Sequence, residues 1–421
     1  MAVQCSAVRY HLTVHNVHKC HLDQLDMCAV KYLKKWLGIP KRGCTSQGIT
    51  SPYLLGIKPV SQVYLEGHMA AFINSSLVAD SDTKEALKKT VEREGKWVNK
   101  SSTTIQCKEI LTEMTEEEEC FIPTLENTST FEATVRVEKS KILKVAKEKV
   151  GRLYRKEAEK EAERIPFQGE MLTLLAQEKQ DISWQSVIFR VPRGVMAWAV
   201  RAGTQSLATP DNLARWGVKV EDKCPMEGCK DRCTLGHVLN NCDKCLERYR
   251  YRHDSCLSYL VSKLVENKPQ EMTVWADLPG WRENGGTVPH YLAASEQIPD
   301  IVIVDKSSTP SKVVLLELTV PFDSATSFEA ARSRKVDRYE RLALDIKGKG
   351  FNVLNCPLEV GCRGVINTRN RGVLATLASM GKIKDVKNLC RTVGKIALLA
   401  SYRIWLSRRS ETFSGGNFIS P

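Results

Sequence analysis

Two acidic residues stand out by the company they keep. Asp300 follows Pro299 and opens the run IVIVD, and Glu317 is the only charge in VVLLELTV. Both runs have the length and composition of strands, and the polar KSSTPS between them, with Pro310, reads as a turn. With residues 306–312 as the turn, Asp300 falls roughly opposite residue 318. Asp300 and Glu317 then sit on neighbouring strands, about 5–8 Å apart. The second run reads as a central, buried strand, where an ionised carboxylate is costly unless it is paired or bound to a metal. Two carboxylates converging at strand ends can hold one hard cation such as magnesium.

The next segment supplies a cation. Between residues 327 and 347, Phe328, Ala331, Tyr339, Leu342 and Ile346 make one apolar helical stripe, and Lys335 falls on that stripe where an apolar residue is expected. A lysine aimed at two carboxylates can orient an attacking water and balance charge on a phosphate. The bland alternative is a buried Glu317–Lys335 ion pair with no catalysis.

A second cluster has the chemistry of a metal centre. Of fifteen cysteines, six fall between Cys224 and Cys256. Cys224 with Cys229 and His237 with Cys242 form two close pairs, the pattern of a tetrahedral structural zinc site. The four-residue gap of the second pair is that of a retroviral-type knuckle; the first pair is wider than the usual two-residue gap, so Cys233 or Cys245 could replace one member. The alternative is chance crowding of buried thiols. Directly after it, the helix ERYRYRHDSCL brings together Arg248, Arg252 and His253 beside Tyr249 and Tyr251. Arginines interleaved with aromatics suit phosphate contacts and base stacking, and an ordinary basic helix packed on the knuckle fits equally.

The elements that must position these groups are α+β. Residues 1–80 read as helices and turns, with a compact block at 31–43, and 116–119 as part of an exposed charged linker. A long helix over 136–164 has Leu143, Ala146, Val150, Leu153 and Tyr154 at helical spacing among eleven Lys/Arg and six Glu. It reads either as a solvated amphipathic helix or as a basic helix along a phosphate backbone. Pro166 stops it. Residues 170–223 are again helical, 281–361 switch to strands and then a helix, and 365–410 form a helical, basic tail.

At 421 residues the chain is long enough for two to four domains. A composition 42% hydrophobic and 26% charged is that of a soluble globular protein, and a net charge of +13 favours a polyanionic partner, nucleic acid first. No signal peptide or membrane span is expected; the best apolar stretch, 396–406, is short and broken by Arg403. An intracellular, reducing setting leaves the thiols unpaired.

Taken in order, these blocks resemble the C-terminal, post-polymerase half of non-LTR retrotransposon proteins of the restriction-like-endonuclease class. The blocks are YLKKWLGIP at 32–40, WQSVIFRVPRGVMAWAV at 184–200, SLATPDNLARWG at 206–217, TLGHVLNNC at 234–242 and RYRYRHDSCL at 248–257. DLPGWRENGGTVP at 277–289, PDIVIV at 299–304, LLELTVPF at 315–322 and FEAARSRKVDRY at 328–339 complete the set. The resemblance implies an α+β multidomain chain: a mainly helical N-terminal half, a zinc knuckle, and an α/β PD-(D/E)xK restriction-like endonuclease core. The segments would be a post-polymerase region (1–130), a basic helical linker (131–223), the knuckle with its helix (224–262), the endonuclease (263–365) and the tail (366–421). It implies Asp300 and Glu317 as magnesium ligands, Lys335 as a catalytic lysine moved from strand to helix with Tyr339 close by, and Thr319 where the standard motif has lysine. DNA and RNA are the implied partners and the nucleus the implied location. Ile298 stands where the family often has a basic residue, and Arg338 where a second lysine is common. VADSD at 78–82 lacks the paired aspartates of a polymerase, so no reverse transcription is expected from this chain. The alternative to a nuclease is an inactive, domesticated or truncated remnant that only binds DNA or RNA.

Overall fold

The computed structural model describes residues 12, 15–78, 80–96, 102–117, 139–177, 188–416 and 418–419. Contacts divide the chain into two compact units. The first comprises Met1–Trp36, Ile49–Pro52 and Gly56–Glu161; the second comprises Leu37–Gly48, Tyr53–Leu55 and Ala162–Pro421.

The first unit is helical. Its core is built by α3 (Val60–Ser76), α4 (Ser81–Lys96), α5 (Thr103–Glu117) and α6 (Lys139–Arg164), following α1 (Lys19–Leu37) and the single turn α2 (Gln47–Thr50). Ala146 and Val150 of α6 are buried beside Met69, Ile73 and Ile110, with Leu143, Leu153 and Tyr154 packed on the rim. The stripe read from the sequence is therefore the face that makes this core. Pro59 precedes α3 and offers no side-chain cap. Asp26 of α1 takes that role, its carboxylate accepting from the amides of Val60 and Ser61. The acidic stretch at 116–119 is helical as far as Glu117, and Glu118 and Glu119 lie outside the described residues, as do residues 136–138 and 184–187.

Pro166 ends α6 and also begins the next helix, α7 (Pro166–Gln177), because the first helical position needs no amide donor. In the second unit α8 (Arg193–Gly203) and the short α9 (Pro210–Arg215) precede the cysteine cluster, and α10 (Leu246–Glu266) follows it. Next come β1 (Met272–Ala276), β2 (Ile301–Asp305), β3 (Lys312–Thr319), α11 (Ala325–Gly348) and β4 (Asn352–Glu359), closed by α12 (Thr368–Met380) and α13 (Val386–Leu406). The strands form one sheet in the order β1-β2-β3-β4; the first three are an antiparallel meander, and β4 joins β3 in parallel after the α11 crossover.

Every residue of β3 from Val313 to Leu318 is buried, as befits a strand covered on both faces. Val302, Val304, Val313 and Leu315 pack against Tyr339, Leu342 and Ile346 of α11. The period of two then places Asp300 and Glu317 toward that same helix. Ser324 caps α11, accepting from the Ser327 amide, and Gly350 takes the left-handed conformation just beyond its end. The C-terminal segment read as a basic tail is integral to this unit: α13 lies along α10 and buries Leu389, Val393, Ile396 and Ile404. Among the described residues no helix is long and apolar enough to cross a membrane.

Candidate metal centre and acidic site

The metal-ligand atoms of Cys224, Cys229, His237 and Cys242 all lie within 4.8 Å of one another. The sulfur atoms of Cys224 and Cys242 are 3.9 Å apart, those of Cys229 and Cys242 4.0 Å, and Cys229 Sγ is 3.5 Å from His237 Nε2. A tetrahedral zinc ion sets S···S at about 3.8 Å and S···N at about 3.5 Å from its usual bond lengths. The four residues form a cluster that can bind a metal ion such as zinc. Two backbone features build it. Lys223 and Arg232 bridge a small hairpin, in which the Cys224 amide donates to Asp231 O, and Gly228 adopts a left-handed conformation that reverses the chain into Cys229. Cys233 and Cys245, left open by spacing, lie outside the group; both are buried.

The preceding block seats this cluster. Thr209 caps α9, and the buried Asp211 carboxylate pairs with Arg215 at 2.8 Å and with Arg232 of the hairpin.

The acidic site lies where β2 begins. The ladder pairs Ile301 with Leu316, so Asp300 stands next to Glu317 and not opposite residue 318; β3 starts at Lys312, one residue earlier than the turn reading allowed. The Asp300 amide donates to Glu317 Oε1 at 2.9 Å, and the Leu318 amide donates to Asp300 Oδ2 at 2.8 Å. Lys335 Nζ donates to Glu317 Oε2 at 2.5 Å and is 3.8 Å from Asp300 Oδ2. Tyr339 is buried, and its hydroxyl donates to Ile298 O at 3.1 Å. Arg338 stacks on the Tyr339 ring at 5.3 Å, and Thr319 lies beside Glu359 of β4.

A fourth group completes the cluster. His253 of α10 brings Nε2 to 3.3 Å from both Asp300 Oδ2 and Leu318 O, while Nδ1 meets Asp254 Oδ1 at 2.9 Å. Both ring nitrogens face acceptors. Burial alone would lower its pKa, but the hydrogen bonds and charges of Asp254 and Asp300 outweigh burial and raise it to about 10. Asp300 shows the reverse balance: burial works to raise its pKa, and the His253 hydrogen bond with the charges of His253 and Lys335 holds it below the ordinary value. Glu317 is fully buried, and burial followed by the Asp300 charge raises its carboxyl pKa. Burial and Glu317 keep the Tyr339 phenol protonated.

Of the two readings that the sequence leaves open for Arg248 and Arg252, the nucleic-acid surface needs correction and the packed helix describes them: both are buried. Arg248 donates to the carbonyls of Ser407 and Ser410; Arg252 donates to Ser401 Oγ at 3.0 Å and to Val320 O at 3.2 Å. They tie α10 to the helix and loop that follow it in space. His253, placed with them, turns toward the acidic pair. The four-residue spacing that puts Tyr249 and His253 on one helical face was the legible signal.

Compared with known protein families and with curated proteins, the chain matches none.

Proposed function

We propose that the second unit is a metal-dependent DNA endonuclease module, related to the restriction-like endonucleases of non-LTR retrotransposons and served by a structural zinc. The observation that carries this reading is the meeting of Asp300, Glu317 and Lys335 on the helix-covered face of a meander-plus-parallel-strand sheet. The oxygen donors suit a hard cation: Lys335 reaches both carboxylates, and the Asp300 amide donates to Glu317, so the two stand side by side. Among the described residues the hydrogen bonds and ion pairs of the Asp300 side chain fall on Oδ2, and Asp300 and Glu317 would together hold a magnesium ion. When bound, that ion supplies charge for a phosphoryl oxygen and lowers the pKa of water. Lys335, 23% exposed and drawn to Glu317, orients the attacking water and offsets charge developing on the phosphate. Tyr339 fixes the chain before Pro299 through Ile298 and so sets where Asp300 leaves the sheet. The reaction is hydrolysis of one phosphodiester, and in a longer element protein such a nick supplies the 3′ hydroxyl for priming. DNA, and RNA beside it, are the partners this reading assigns, in the nucleus.

The Cys3His cluster has four protein ligands and no open position, which makes its zinc structural. A second reading, a protein that only binds nucleic acid, is favoured by one observation: Lys335 pairs with Glu317 and His253 with Asp300, so side-chain cations offset both carboxylates. End analysis separates the two. A labelled duplex incubated with protein and magnesium should yield 5′-phosphate and 3′-hydroxyl ends at the nick; bound but intact duplex would favour the binding-only reading.

A further inference from the structure

Strand β3 runs past the end of its partner. The β2–β3 ladder closes at Ile301 opposite Leu316, and before that the chain leaves the sheet at Asp300. On that edge of β3 the Leu318 amide, the Leu318 carbonyl and the Val320 carbonyl face no strand, and buried backbone groups seldom stay unpaired. Asp300 Oδ2 takes the amide, and His253 Nε2 meets the Leu318 carbonyl. The Val320 carbonyl receives two donors, Asn240 Nδ2 at 2.6 Å and Arg252 Nη2 at 3.2 Å. The end of the segment that carries Glu317 is thus completed by side chains and not by another strand: Asp300 from the start of β2, His253 and Arg252 from α10, and Asn240 from the metal-ligand turn.

Asn240 lies in the π-helical turn His237–Asn241. The turn begins at one metal ligand and runs directly into another, Cys242. The Asn240 Oδ1 atom is buried without a partner among the described residues, so the donor contact to Val320 is what orients the amide. Tyr249 binds the turn to α10: its hydroxyl accepts from the Cys242 amide at 3.1 Å and reaches the carbonyls of His237 and Val238 at 3.0 and 3.1 Å. One helical turn further, His253 meets Asp300. Two routes therefore run from the metal-ligand turn to the acidic site, one through Asn240 and one through Tyr249 and α10.

We propose that the Cys224–Cys229–His237–Cys242 metal centre is a positioning element for the acidic pair, with Asn240 as the residue through which its turn fixes the end of β3. This rests on reading Asp300 and Glu317 as a divalent-cation site. A turn held at both ends by metal ligands has no other shape to relax into. Stripping the metal frees Asn240 from Val320 and loosens the segment that carries Glu317 and the Leu318 carbonyl.

Full-length protein tests this with Mn²⁺ as the probe, its binding followed by electron paramagnetic resonance. Asn240→Ala should keep one zinc per chain and unchanged DNA affinity, while its Mn²⁺ dissociation constant rises about tenfold, the range of outer-shell substitutions at metal sites. The Mn²⁺ needed for half-maximal nicking should rise in parallel, with the maximal rate recovered at saturating Mn²⁺. A general loss of fold would not leave that pattern. An unchanged Mn²⁺ constant in zinc-loaded Asn240→Ala, with binding abolished in Asp300→Asn, overturns the proposal and spares the cation site. Mn²⁺ binding in wild type that is indifferent to Asp300→Asn overturns both. Should Asn240→Ala fail to fold, wild type carries the test by hydrogen exchange: chelating zinc should speed exchange across 316–322, and unchanged exchange there overturns the coupling.

Discussion

Four side chains, two acidic and two basic, meet at the start of β2 with contacts of 2.5 Å between Lys335 and Glu317, 3.3 Å between His253 and Asp300, and 3.8 Å between Lys335 and Asp300. Their unequal surroundings divide the work. Asp300 is held ionised by His253 and Lys335, whereas Glu317 is pushed toward its protonated form by burial and by Asp300. A cation must displace a proton from Glu317, so protonation competes with it. Magnesium affinity should therefore increase as pH rises from about 6 to about 8, where an ordinary carboxylate would give a flat response. Half-saturating magnesium measured across that range checks this, and a flat profile would contradict it. Lys335→Ala removes the cation that favours ionised Glu317. It should move the profile to higher pH and lower the maximal rate by about 10²–10³-fold, the usual cost of losing one charge-stabilising group.

At the scale of elements, α10 joins the two sites and is held from behind by α13. Arg252→Ala should lower stability by about 3 kcal/mol, since charged hydrogen bonds to buried acceptors are worth about 1.5–3 kcal/mol each. The urea midpoint should fall at constant slope, with the salt dependence of DNA binding unchanged; an arginine on the DNA surface would give the opposite pair of results. At the cysteine cluster, Cys233→Ser and Cys245→Ser should retain one zinc per chain by elemental analysis and Cys242→Ser should lose it, because Cys242 and not the first two belongs to the four-residue group whose ligand atoms converge. Much of this level was legible in the sequence. The α11 stripe of Phe328, Ala331, Tyr339, Leu342 and Ile346 is the buried face of that helix, and Lys335, partly exposed on it, reaches Glu317. The lone charge in an apolar strand marked Glu317, and paired spacing marked the four residues that can hold a metal ion, with Cys233 and Cys245 left open beside them. Registry was not legible to one residue, because the turn between β2 and β3 is bounded by a lysine that the strand absorbs. Nor could spacing tell a buried arginine from a surface one: Arg248 and Arg252 share a helical face with residues that pack on α13, some 150 positions away in the chain.

At the scale of the whole molecule, the net charge of +13 is the feature that bears on partners. Electrostatic binding to DNA releases counterions, and a footprint of about 6–10 phosphates weakens affinity by about 10³–10⁵ between 50 and 200 mM salt. A steep linear fall of log affinity against log salt is expected, and a slope near zero would remove nucleic acid as the partner. The measurement that bears most directly on the central claim is nicking of supercoiled plasmid by purified, zinc-loaded protein with magnesium, comparing wild type with Asp300→Ala and Glu317→Ala. Wild type should convert the plasmid to open circles and both variants should fail to, with DNA affinity retained. Wild type that binds the plasmid and leaves it supercoiled, or variants that nick as fast as wild type, would contradict it.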